Sequence, residues 1–170
     1  MDGKSQSGSV MEFRYRTNLR IGGDEWTNHR VEAWRGDEKL GHLTIAFIPE
    51  ETFDELFATV EDYATRIKGI TKPTDDDCAK LYPYYRRFEA FHVETAHVGN
   101  VIVEEKHRRQ SIATKLYLEG ARWIWEHHEL FLAASDLQQP EIKPLWSKLA
   151  ANPSVATVRL YDERWALDGS

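Results

Sequence analysis

The stretch Val101-Ile-Val-Glu-Glu-Lys-His-Arg-Arg-Gln-Ser-Ile-Ala113 constrains the fold more than any other part of the chain. A short β-branched run leads into a polar turn with two arginines, and small residues then open a helical pattern. That order builds an anion site. Free backbone N–H groups at a helix start point outward, and the helix dipole favours negative charge there. A diphosphate is the natural guest, held by Arg108, Arg109 and the N–H groups running through Gln110, Ser111 and Ile112 to Ala113.

The flanking pattern is α/β. Glu12 to Thr17 alternates and reads as a first strand. His29 to Trp34 and Leu40 to Ile48 read as strands joined by Arg35-Gly-Asp-Glu38, a hairpin signal. Phe53, Leu56, Phe57, Val60, Tyr63, Ala64 and Ile67 fall on one helical face, with Thr52 and Glu55 at capping-box spacing. Cys78 to Arg87 reads as a short helix broken at Pro83. Phe88 to Val103 reads as a long strand, with either a bulge or a hairpin turn at Gly99-Asn100. A helix over about 109–127 follows, then a short strand at 130–134. A helix entered at Pro140 carries Ile142, Leu145, Trp146 and Leu149 on its apolar face. Val155 to Tyr161 closes the order, with a further strand at 165–167.

From Phe88 onward the order is strand, phosphate-type turn, helix, strand, helix, strand. This half of the chain resembles the GNAT superfamily of N-acetyltransferases, whose motif A binds the pantetheine arm and pyrophosphate of acetyl-CoA. In the motif's turn Arg108 takes the first place and Ala113 the last. Ser111 stands where glycine is usual, and Arg109 where a second glycine is common. Ser111 keeps its N–H, so a negative φ preserves the cradle, whereas a positive φ is strained for any residue but glycine. The resemblance implies a GNAT-like mixed central sheet flanked by helices. Here a helical insertion falls between the third and fourth strands, where the family places helices between the first and second.

The resemblance also implies site residues. Backbone groups of Val101 and Val103 would meet the pantetheine amides. The family's carboxylate base falls near Thr95, which makes Glu94, or else His97, the expected catalytic base. The family's acid tyrosine is replaced by Trp146, which cannot donate a proton of comparable acidity and is expected to shape the thioester channel. Gln139 stands where a cofactor-contacting asparagine is common, and Tyr161 is a substitute acid to consider.

Bulk properties bound the rest. The chain's 170 residues, 41% hydrophobic and 29% charged, suit one soluble domain over 11–170 behind a flexible tail over 1–10. Net charge of −6 argues against a nucleic-acid partner, despite the aromatic and basic run Tyr82 to Arg87. The lone Cys78 gives no intramolecular disulfide, and no metal is expected. Asp75-Asp-Asp77 reads as a solvated loop or helix cap, and Glu126-His-His-Glu129 as a polar helix end. No apolar run reaches bilayer length and the start lacks a signal region, so a cytoplasmic protein without a membrane partner is expected. A homodimer is compatible with the sequence.

The functional expectation is an acetyl-CoA-dependent N-acetyltransferase acting on a primary amine of a small molecule or protein. The alternative is a non-catalytic GNAT-like acyl-CoA-binding module with a regulatory or interaction role. A protein-binding or nucleic-acid-binding domain using Tyr84, Tyr85, Arg86 and Arg87 is the third reading.

Overall fold

The computed structural model describes residues 10–17, 27–134, 143–159 and 165–170. The expected tail lies outside them except for Val10, as do the expected turn at Ile21-Gly-Gly-Asp24 and the helix entry at Pro140.

Strand β1 spans Met11–Thr17, β2 Thr27–Arg35 and β3 Glu38–Phe47. Arg35 pairs with Glu38, so only Gly36 and Asp37 make the β2–β3 turn, and Gly36 sits at φ 62. A two-residue hairpin loop requires that left-handed conformation, which glycine adopts without penalty. Strand β4 spans Thr95–Val103, β5 Phe131–Ala133, β6 Thr157–Arg159 and β7 Trp165–Leu167. These form one mixed sheet in the order β1-β2-β3-β4-β5-β7-β6. Among the described residues β4–β5 is the parallel pair, and it lasts three residues, from Thr95–Phe131 to His97–Ala133.

The connection between β4 and β5 is helix α4, Ile112–His128. Its residues Ile112, Leu116, Ala121 and Ile124 are buried in the main core with Leu43, Ile45 and Leu132. Gly120 is where helix and sheet come closest. A Cβ there would lie 2.7 Å from Leu43 Cδ2 and 3.2 Å from Ile45 Cδ1. Core truncations such as Leu43→Ala on this face cost roughly 2–5 kcal/mol.

The opposite face carries α1 (Glu50–Leu56), α2 (Val60–Arg66) and α3 (Asp75–Glu94). Ala46 pairs with His97 and alternates with Ile45, so His97 points away from α4. Its ring meets Phe91 at 4.2 Å and His92 at 5.4 Å, both from α3. Phe53 of α1, Phe57 just after it and Phe88 of α3 stack into a second core under the insertion. Tyr85 fixes α3 by donating its hydroxyl to the Phe57 carbonyl at 3.0 Å.

Two expectations are corrected. The single helix expected from Phe53 to Ile67 is two, and the capping box is Thr59 with Asp62, not Thr52 with Glu55. Helix α3 runs through Pro83 to Glu94, so Phe88 to Glu94 is helix and β4 begins at Thr95. Phe88 and His92 sit one helical turn apart and pack together on Phe53, a burial that no strand reading of the segment provides. Of the two readings of Asp75 to Asp77, the helix cap holds: they form the first turn of α3, where Thr74 and Asp77 close a capping box. The helix entered near Pro140 is described from Lys143 to Ala151, as α5.

Gly99 is a bulge and not a hairpin turn. Thr44 pairs with Asn100 and Ile45 with Val98, leaving Gly99 as the extra residue. No helix among the described residues is long and apolar enough to cross a membrane.

Candidate functional site

At the end of β4 the chain is pinned before it turns. The Glu104 N–H donates to the Leu40 carbonyl at 2.9 Å. A single 3-10 turn, Glu105–His107, follows. His107 is buried, and its Nε2 lies 3.0 Å from Glu38 Oε1 at the β2–β3 hairpin. Lys106 reaches the same carboxylate. Hydrogen bonds from Lys106 and then His107 hold the Glu38 carboxyl below its ordinary range.

The next residues are those of the turn singled out from the sequence, with one correction of conformation. Arg108 is extended, and its Nε donates to the Val103 carbonyl at 3.4 Å. Arg109 adopts φ 68, and Ser111 φ 61 with ψ 22. Both positions where glycine is usual therefore hold the left-handed conformation, although neither is glycine. That costs about 1–2 kcal/mol per residue, and such strain gathers at functional turns. Ser111 is the N-cap of α4, its side chain accepts no capping bond, and no acid lies in the first turn. The leading N–H groups of α4 thus receive no side-chain acceptor from the cap.

A groove of about 480 Å³ opens between this turn and α5. Val103, Arg108, Arg109, Ser111, Ile112 and Ala113 line it, and Pro144, Leu145 and Lys148 form the far wall. Lys148 carries a third cation into the groove, and no carboxylate lines it among the described residues. Sequence reasoning gave Lys148 no role. Its signal was the helical spacing from Leu145, which places the two within a turn of each other.

The remaining expected residues are spread along β4 and behind the groove. Gln110 is exposed and outside the groove lining. Val101 pairs with Leu43, Val103 with Gly41, and both side chains pack on the main core. From Val98 onward β4 has no β5 partner among the described residues, so the two strands part beside the bulge. Glu94 ends α3 and is exposed, three residues from His97, where the parallel pairing stops. Trp146 is buried in the core and meets Tyr117 edge-on at 5.3 Å. Burial pushes the Tyr117 phenol up to about 12. Gln139 and Tyr161 lie outside the described residues.

Sequence reasoning missed the polar face of the sheet. Cross-strand pairing sets Arg30, Thr44 and Asn100 in one row, and Glu32 beside His42 in the next, all facing away from α4. Glu32 is 2% exposed and Thr44 3% exposed. Arg16, Lys39 and the Trp34 indole each reach Glu32 at 3.2 Å. Burial alone would raise the Glu32 carboxyl, but those hydrogen bonds outweigh it and hold the group below its ordinary range. Burial lowers His42, helped by the nearby charges of Lys39 and Arg30. The polar alternation in β2 was visible, but in sequence it reads as a solvent-facing side.

A second cavity, about 660 Å³, lies at the other end of α4 between Phe47, Phe53 and His128. Glu50, Glu51, Asp54 and Glu129 rim it, and no lysine or arginine lines it among the described residues. Compared with models of protein families, with curated proteins and with solved structures, the chain matches none.

Proposed function

We propose that this protein is an acetyl-CoA-dependent N-acetyltransferase of GNAT-like topology. The observation that carries the reading is the turn before α4. Two non-glycine residues hold left-handed backbone there, and three cations converge on a groove that no carboxylate lines among the described residues. A diphosphate fits that arrangement, because charge-assisted bonds to helix N–H groups and guanidinium groups are strong. The parting of β4 from β5 next to the Gly99 bulge supports a path for the pantetheine arm, with backbone groups of Val101 and Val103 along it. The thioester then lies toward His97.

In the reaction the amine nitrogen bonds to the acetyl carbon and the carbon–sulfur bond breaks. The amide and the free thiol are the products, so one proton leaves nitrogen and one reaches sulfur. Glu94, or His97, takes the amine proton, through a water where the distance is long. Much of the acceleration comes from orientation in the gap. The acceptor is a primary amine of a small molecule or protein.

A non-catalytic acyl-CoA-binding module is the second reading. Trp146 favours it, since it fills the family's acid position and is buried against Tyr117. One assay separates the two. Free thiol is followed while the protein is mixed with acetyl-CoA and a panel of amines. Amine-dependent thiol release supports the enzyme, binding without release supports the module, and absence of any acyl-CoA binding defeats both.

A further inference from the structure

We infer that the polar face of the sheet holds the acceptor by a carboxylate, through Arg30 and Thr44, so that the acceptor is an amino acid. The inference rests on the reading above for the position of the thioester, and it names the substrate class of the same site.

Thr44 is 3% exposed, and its Oγ1 is sealed from solvent with no hydrogen-bond partner. Arg30 is its cross-strand neighbour. The Arg30 Nε is also buried with no hydrogen-bond partner, and no carboxylate pairs with its guanidinium among the described residues. The nearest row explains why. Glu32 is already engaged by Arg16, Lys39 and Trp34, so it balances its own cations and leaves Arg30 over. A buried guanidinium Nε on a half-buried arginine and a buried hydroxyl, both without a hydrogen-bond partner and side by side, are costly to leave so. One planar monoanion answers both. A carboxylate accepts the guanidinium fork and the threonine hydroxyl together. The diphosphate has its own three cations at the end of β4, so this pair is not needed for it.

Position favours the acceptor. The row Arg30–Thr44–Asn100 ends at the bulge, where Gly99 leaves β4 without a side chain next to Thr44. Strands lie about 4.8 Å apart, so Arg30 stands two strands from β4 and its long side chain reaches back toward the bulge. A carboxylate held there puts an amine a few bonds away over the gap beside His97.

The test uses pairs of acceptors that differ by the carboxylate: glycine and methylamine, β-alanine and ethylamine, γ-aminobutyrate and propylamine. Wild-type kcat/KM is expected to favour the carboxylate member by tenfold or more in at least one pair. Arg30→Gln should bring that ratio near one, and the near-isosteric Thr44→Val should reduce it. Both variants should keep wild-type acetyl-CoA affinity and an unchanged circular dichroism spectrum. The inference is overturned if no pair shows a preference, if neither member of any pair is bound or acetylated, or if the preference survives Arg30→Gln. Binding of the same amino acids is also followed by saturation-transfer NMR without cofactor. A protein that fails to bind acetyl-CoA but binds β-alanine through Arg30 would sink the transferase and leave this site standing.

Discussion

Helix α3 opens with Thr74 and Asp77 closing a capping box and with three aspartates in its first turn. Helix α4 opens on a left-handed Ser111, with no side-chain cap, no acid in its first turn and two arginines just before it. The first arrangement answers its own N–H groups and dipole from within the chain. The second adds positive charge to a positive helix end and strains two residues in doing so. A cap is worth about 1 kcal/mol and each left-handed residue costs about 1–2 kcal/mol. The difference is a sizeable share of a typical net stability of about 5–15 kcal/mol. Helix α2, capped by Thr59 and Asp62, follows the α3 pattern, and α1, which has no side-chain cap either, still carries Glu50 and Glu51 in its first turn. The departure at α4 is therefore local, and a bound anion is the group that would reverse it.

The contrast extends to the far end of α4. His29 of β2 packs there against Trp123 at 4.4 Å and Phe47 at 5.3 Å. Burial first, then the neighbouring His128 and His127, lower its pKa to about 4. The unfolded chain takes up that proton near pH 6.5, the folded chain only near 4. Stability should therefore fall as pH drops through this window, by roughly 2 kcal/mol once the full shift is discounted for partial solvation. Urea melts at pH 7 and pH 4.5 should show His29→Phe losing less stability on acidification than wild type. Equal losses would remove His29 from the account.

Ser111→Asp should convert the start of α4 toward the α3 type. A carboxylate at the N-cap should raise stability by about 0.5–1 kcal/mol. The same charge should weaken acetyl-CoA binding about tenfold or more, an expectation of the scale of one lost charge-assisted bond. Thermal melting and calorimetry on one preparation read both effects, and changes of the same sign would break the comparison.

Thr74→Ala removes the α3 cap. It should cost about 1 kcal/mol, or a fall of about 2–4 °C in Tm, with acetyl-CoA affinity unchanged. The smallest expected change is a gain. Ser111→Gly relieves the left-handed strain but loosens the unfolded chain, so a net gain of about 0.5–1 kcal/mol is expected. Affinity should remain within about twofold if the backbone makes the contact. A destabilised Ser111→Gly would show that the Ser111 side chain carries weight the structure does not assign to it.

The strand-turn-helix from β4 into α4 was legible because its residue types act locally: β-branched strand, arginines, then small residues. The β2–β3 hairpin was legible for the same reason, through Gly36 and alternation on either side. The end of α3 was not. Phe88-Glu-Ala-Phe-His-Val93 is rich in aromatic residues and follows Pro83, which lacks the N–H that would bond to the Ala79 carbonyl. Only packing of Phe88 and His92 on Phe53 selects the helix. The φ of Ser111 was also hidden, because serine without glycine neighbours reads as ordinary backbone. Arg30 and Thr44 were hidden because strand alternation gives a polar side but not whether that side is covered.

The most direct test of the anion cradle is a calorimetric titration of acetyl-CoA into wild type and Arg108→Ala. The account predicts one-to-one binding to wild type, weakened by added salt. It predicts at least about a tenfold loss of affinity in Arg108→Ala, from one charge-assisted contact worth roughly 1.5–3 kcal/mol. No binding to wild type, or equal affinity in both proteins, would contradict it.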